Sequence, residues 1–448
     1  MNATLRHYFT DYGMIFVLIL LCAFFSAVTY SEQSPTGEAA AKQLASELRK
    51  QPGKGGRVLI AVRSQADDAV FARKLEAELS AAGLVVSGVV SGEPKDAREA
   101  LQKLAATGAK LEAIACNQAT ASWLVFSDLK ADFPTLGNPR IVKPRSYQWP
   151  NFLKSENLLN IANQIAVIAI VAIGMTMVII TAGIDLSVGS LLALAAVLAA
   201  RGIRDYAGAL EATPFGMTLA CAAAVVLCGL VGAFSGGMIT LAGIPPFIVT
   251  LAMMLVASGL AYILSQGQSI YQIPDSFVWL GRGADFLGIP NAVLLMLVLY
   301  ALAQVLMSRM KLGRYLYAVG GNREAARLSG VPVQRVLMFA YIASGSLAGL
   351  GGVIMASQLK SGSPTYGNMY ELYVIAAVVV GGTSLSGGEG KMLGTLIGAF
   401  TIAVIQNGMN LTNVESYTQK VVLGLVILAA VLLDQLRHRR WGGGTANP

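Results

Sequence analysis

Two hydrophobic patterns share this chain. Continuous apolar runs occupy Met14–Tyr30, Leu158–Ile180, Met217–Leu241, Phe247–Leu264, Ala292–Met307, Val336–Ser357, Leu393–Asn410 and Thr418–Leu433. Each approaches the roughly 20 residues of helix that cross a hydrocarbon core. Leu191–Ala200 reads as part of one more span, and Leu372–Val380 as a short tenth. The runs are continuous rather than alternating, which excludes a membrane barrel. The expected fold is a polytopic α-helical membrane protein of about ten transmembrane helices, plus a small α/β domain inserted after the first.

The insertion is Ser31–Tyr147, where charges return and apolar runs shrink to strand length. Helices are expected at Gly37–Lys50, stopped by Pro52-Gly53, at Ala66–Ala82, at Pro94–Thr107 and at Ala119–Lys130. Strands are expected at Arg57–Val62, Leu84–Val90, Leu111–Cys116 and Arg140–Val142. Strand and helix alternate, so the sheet is parallel. Such a sheet takes ligands at the carboxyl ends of its strands. Here the turn Arg63-Ser64-Gln65 carries no glycine and no phosphate-binding motif. A ligand domain and a docking or spacer domain both fit. The domain division is therefore 1–30 first helix, 31–147 insertion, 148–436 transmembrane domain and 437–448 tail.

Charge orients the spans. Gly313–Arg335 carries Arg314, Arg323, Arg327 and Arg335, with Arg309 and Lys311 just before it. Short arginine-rich connections stay cytoplasmic. Counting ten spans outward from that connection leaves both termini cytoplasmic, including Arg437–Arg440, and the insertion on the outer face. A cleaved signal peptide is the rival reading of Met14–Tyr30; its best small-x-small site, Ala27-Val28-Thr29, is poor. The net charge of +8 lies largely where topology demands it, so no nucleic-acid partner is implied. Only 13% of the residues are charged, against about a quarter in soluble domains.

Little here supports catalysis. The two histidines, His7 and His438, sit near the termini, and Cys22, Cys116, Cys221 and Cys228 form no metal spacing. No catalytic residue, metal or cofactor is expected. Leu385-Ser386-Gly387-Gly388-Glu389 has the letters of an ATPase signature, but no phosphate-binding loop accompanies it. The glycines around it read as a backbone break that echoes Gly183–Ser190. In that first break Asp185 is an ionisable group at membrane depth, which either lines a substrate path with Ser187, Gly189 and Ser190 or caps the next helix. Asn163, Gln164, Gln406, Asn407 and Asn410 suit either sugar contact or interhelical hydrogen bonds. Glu371 and Asp434, at span ends, read as solvated or capping. Glu324–Leu328 is a short helix former between Gly320-Gly321 and Gly330, either an exposed cytoplasmic knob or a plain loop.

Several runs resemble, in order, the membrane permease of ribose-type ABC importers, within the larger group that also serves branched-chain amino acids. They are Pro150-Asn151-Phe152 with Asn157–Ile161, Gly174-Met175-Thr176 with Gly183–Ser190, Leu312–Tyr315 with Gly320–Asn322 and Ala325–Gly330, and Val380–Gly388. The resemblance implies that Gly321, Asn322, Glu324, Ala325, Ala326, Arg327, Leu328 and Gly330 form a coupling helix for a separate ATPase subunit. It also implies a second permease copy, identical or not, an extracytoplasmic sugar-binding protein, a monosaccharide cargo and an inner-membrane location among lipid. Asp185–Ser190 would lie near the path. The insertion departs from the family pattern and resembles one lobe of a sugar-binding protein. A receptor with an outer sensor domain and an ion-coupled transporter are the alternatives. The receptor would need an output domain, which the short stretch after Asp434 does not provide.

Overall fold

The computed structural model describes residues 3–50 and 56–441, with side chains described for 13–50 and 56–432. The expected stop at Pro52-Gly53 and the side chains of Asp434 and Arg437–Arg440 lie outside that description. The chain divides into two compact units, Tyr30–Pro150 and the union of Met1–Thr29 with Asn151–Pro448.

Helix α1 (Ala3–Val28) leads into the smaller unit. Its elements are β1 (Tyr30–Gln33), α2 (Gly37–Arg49), β2 (Arg57–Val62), α3 (Ala66–Ala81), β3 (Val85–Ser91), α4 (Pro94–Ala106), β4 (Ala113–Cys116), the one-turn α5 (Leu129–Asp132), β5 (Arg140–Val142) and β6 (Tyr147–Pro150). Strands β1 and β6 form an antiparallel ribbon, and the other four form a sheet of order β3-β2-β4-β5. All three pairings in that sheet are parallel. Side chains alternate across a strand, so Val58, Ile60 and Val62 pack on α2 and α3 while Leu59 and Ala61 pack toward α4. A central strand buried on both faces needs an unbroken apolar run, which explains Arg57–Val62.

The helix expected over Ala119–Lys130 is not formed. Two short 3₁₀ turns, Thr120–Ser122 and Leu124–Phe126, precede α5 instead. Side-chain bonds outcompete the helix there: Asn117 Oδ1 accepts from the Thr120 N–H at 2.8 Å, and the Thr120 hydroxyl donates to the Ala61 carbonyl at 2.8 Å. Trp123 is then extended, with ψ 130°.

The larger unit continues with α6 (Ser155–Ile180), α7 (Val188–Tyr206), α8 (Pro214–Thr240), α9 (Pro246–Ser265), the one-turn α10 (Trp279–Arg282), α11 (Asn291–Arg309), α12 (Lys311–Gly321), α13 (Arg323–Leu328), α14 (Val333–Leu359), α15 (Tyr370–Val380), α16 (Met392–Leu411) and α17 (Ser416–Trp441). Among the described residues, six helices (α6, α8, α9, α11, α14 and α16) are long and apolar enough to cross a membrane, and Gly13–Val28, Tyr370–Val380 and Ser416–Leu432 are shorter apolar helices. Helix α6 is apolar all round because every residue from Ile165 to Ile180 is buried. Helices α8 and α14 run antiparallel through small residues. A Cβ on Gly232 would lie 2.3 Å from the Tyr341 carbonyl oxygen, and one on Gly345 would lie 2.4 Å from that of Cys228.

The basic connection is more ordered than a loop with one short helix. Helix α12 forms first, burying Gly313, Leu316 and Val319 along one side. Asn322, extended at φ −158° and ψ 110°, separates it from α13.

Candidate functional site

Helix α13 projects as a knob. Asn322 Oδ1 accepts from the Ala325 N–H at 2.9 Å, satisfying a free donor at the helix start. At the other end Gly330 adopts φ +81° and the Val331 N–H reaches the Ala326 carbonyl at 3.0 Å, a Schellman cap that favours glycine. Only Ala326 is buried; Gly321, Asn322, Glu324, Ala325, Arg327, Leu328 and Gly330 are exposed. Leu328 is 81% exposed. Arg327 and Glu324 pair at 2.9 Å in solvent, which contributes little to stability.

The base of the knob is anchored by backbone contact. A Cβ on Gly320 would sit 1.7 Å from the Ile180 carbonyl oxygen and 2.6 Å from the Gly388 nitrogen. That same Ile180 carbonyl accepts from Gly388 N–H at 2.8 Å, and Tyr317 Oη donates to the Gly390 carbonyl at 2.8 Å. The glycine-rich loop with the ATPase-like letters is thus a packing surface for the end of α12. The two breaks also share a cap. Helix α6 ends through Ala182 at φ +59° with Gly183 N–H bonded to Val178 O, and α15 ends through Gly382 at φ +85° with Thr383 N–H bonded to Val378 O.

Asp185 is 2% exposed and fully engaged. Its Oδ1 accepts from the Ser187 N–H at 3.0 Å and the Ser187 hydroxyl at 2.6 Å, and its Oδ2 accepts from the Ser344 hydroxyl at 2.7 Å. The carboxylate organises the turn before α7 and ties it to α14. Ser187 is buried beside it. Gly189 and Ser190, one step further on, lie on the wall of a cavity of about 290 Å³. Ser258 and Tyr262 of α9 and Asn368 and Glu371 line it as well. The four residues of the first break are therefore split: Gly189 and Ser190 line the cavity, and Asp185 and Ser187 are not part of its wall.

A second cavity of about 250 Å³ is bordered by Gln164, Gln358, Tyr370 and Gln406. The other amides expected within spans hold helices together. Asn407 and Asn157 exchange two hydrogen bonds of 2.8 and 3.0 Å. Asn163 donates to the Gly281 carbonyl at 3.0 Å, and Asn410 accepts from Gln419 at 2.8 Å. Nothing in their sequence context singles out Tyr262 and Asn368, and by sequence Glu371 reads as a span end. The shortness of Leu372–Val380 was the available signal that Glu371 lies inside the bundle.

Antiparallel apolar helices with glycine-lined contacts, two broken segments and an exposed knob describe a polytopic helical membrane protein. The chain belongs to the family described as branched-chain amino acid transport system / permease component, whose model matches residues 157–431. It is a permease subunit, not itself an enzyme. It is 44% identical to the ribose import permease protein RbsC of Escherichia coli (strain K12) over 293 residues, covering 64% of this chain and 88% of the relative. RbsC of Bacillus subtilis (strain 168) is 43% identical, with coverages of 64% and 87%. The D-allose transport system permease protein AlsC of Escherichia coli (strain K12) is 37% identical, with coverages of 64% and 85%. No solved structure matches the chain.

Proposed function

We propose that this chain is the membrane subunit of an ATP-driven importer of a neutral, ribose-like monosaccharide, working by alternating access. Family membership and the sugars named for its relatives support the cargo class. The observation that carries the ATP-driven part is the knob. A six-residue helix capped at both ends and exposed on nearly every residue buries too little to be there for stability, and it suits insertion into a cleft of a separate ATPase.

Ten crossings follow from alternating direction through α1, α6, α7, α8, α9, α11, α14, α15 with the segment before it, α16 and α17. The arginine-rich α12–α13 region takes the cytoplasmic face, with both termini. The Tyr30–Pro150 unit then faces outward, where it contacts the extracytoplasmic sugar-binding protein. A second permease copy completes the path, which runs by Gly189 and Ser190, with Asp185 and Ser187 bracing the wall from behind.

Affinity-tagged permease expressed with its neighbouring operon tests the reading. A stably bound subunit containing a phosphate-binding loop, lost on Glu324→Ala with Arg327→Ala, is expected, together with ATP-dependent uptake from a panel of labelled ribose, allose and xylose. Uptake driven by an ion gradient with no ATPase bound would overturn it.

A further inference from the structure

Glu371 is the feature that the proposed function leaves unused. Its depth is set by the chain before it. Between the end of α14 and the start of α15, residues 360–369 run along α7: a Cβ on Gly362 would meet Ala200 and Ala196, and one on Gly367, at φ +69°, would meet the Gly189 carbonyl at 2.4 Å. From Ala200 to Gly189 is 11 residues of helix, so the segment descends about 16 Å into the bundle. Glu371 then opens α15 in the interior, with Oε2 so close to Gly189 that a Cβ there would lie 2.4 Å away.

Among the described residues lining the 290 Å³ cavity, Glu371 is the sole acidic or basic one. No salt bridge engages it, and no other side chain hydrogen-bonds to it, among the described residues. An ionisable group at membrane depth is costly and ordinarily faces a path or a polar partner. Among the described residues its carboxylate meets its own backbone N–H and no other side chain, and the cavity lies beside it. The remaining polar wall, Ser190, Ser258, Tyr262, Thr365, Tyr366 and Asn368, is neutral. Unwound backbone between helices is where transported solutes are held at mid-depth.

We propose that Glu371 is the cargo-selecting group of this cavity: its carboxylate accepts hydrogen bonds from the hydroxyls of a neutral monosaccharide and repels anionic sugars. The proposal rests on the importer reading, and its test separates the two.

A near-isosteric reporter, Ser258→Cys, is introduced into the full chain in nanodiscs. Its modification by a small methanethiosulfonate reagent is followed by site-resolved mass spectrometry. Saturating ribose or allose is expected to slow labelling at least threefold, while glucuronate does not. Glu371→Ala abolishes the protection. Glu371→Gln, which keeps the size and one acceptor, retains part of it and lets glucuronate protect. Equal protection by neutral sugar in Glu371→Ala overturns the proposal, as does an absence of protection by any neutral sugar with Glu371 intact. Should Glu371→Ala fail to accumulate, Glu371→Gln decides, because full neutral protection with glucuronate still excluded also overturns it. Co-purification of the ATPase with the same variants reports on the importer reading independently.

Discussion

At the scale of single residues, the informative positions are those where backbone meets backbone. Gly320 has no room for a methyl group against Ile180 and Gly388, whereas a Cβ on its neighbour Gly321 would meet nothing within 4 Å. Gly320→Ala is expected to destabilise the helical unit by about 1–3 kcal/mol, as overpacking does, and to lower its melting temperature in detergent. Gly321→Ala should leave that temperature within a degree or two. Asp185 satisfies three donors, so Asp185→Ala strands buried groups at about 1–3 kcal/mol each. Asp185→Asn should recover part of the loss, and circular dichroism melts of the two variants measure the difference. In the smaller unit, burial pushes the Cys116 thiol up to about 12. The native thiol should therefore resist iodoacetamide at pH 8 and react on unfolding. Because the folded value lies above the unfolded one, near 8.5, the protonated thiol favours the fold below that pH. This contribution is lost as the pH rises from about 8.5 toward 12.

At the scale of elements, α13 combines weak internal support with strong caps. It is too short for propensity to hold it, so Asn322→Ala should cost the knob about 0.5–2 kcal/mol locally. Gly330→Val should strain a position held at φ +81°. Both variants are expected to insert and melt like the parent while binding of the ATPase falls at least fivefold in pull-down. Equal ATPase recovery would remove α13 as the docking element. The existence of this helix was legible in the sequence because helix formers sit between glycines. Helix α12 was not, since its buried side, Gly313, Leu316 and Val319, is brief and basic residues surround it. The failed helix at Ala119–Lys130 has the opposite cause: good local propensity lost to the Asn117–Thr120 side-chain bonds and the tie to Ala61.

At the scale of the whole molecule, the Tyr30–Pro150 unit has its own double-sided core, and its ends are joined by the β1–β6 ribbon. Excising it between Tyr30 and Pro150 and closing the chain with a short linker should leave the helical unit folded and the ATPase bound. Uptake at limiting binding-protein concentration should fall, while ATP hydrolysis without binding protein stays near the parent rate. Unchanged uptake and unchanged affinity for the binding protein would show that the unit does not serve docking.

Sequence alone determined what depends on local pattern. Apolar run length marked the six helices long enough to cross a membrane, a strand–helix alternation marked the inserted sheet, and glycines around Gly183–Ser190 and Gly381–Gly390 marked two backbone breaks, because each of these acts through neighbours in the chain. Tertiary structure decided which of those residues face space. Asp185 and Ser190 are five positions apart in one motif, yet packing against Ser344 buries the first while the second, half-buried, lines the cavity. Glu371, read as the end of a short span, is carried into the interior by the descending segment after Leu359. That placement depends on Gly362 and Gly367 fitting against a helix more than 150 residues earlier, and such long-range contacts leave no periodic trace in the chain itself.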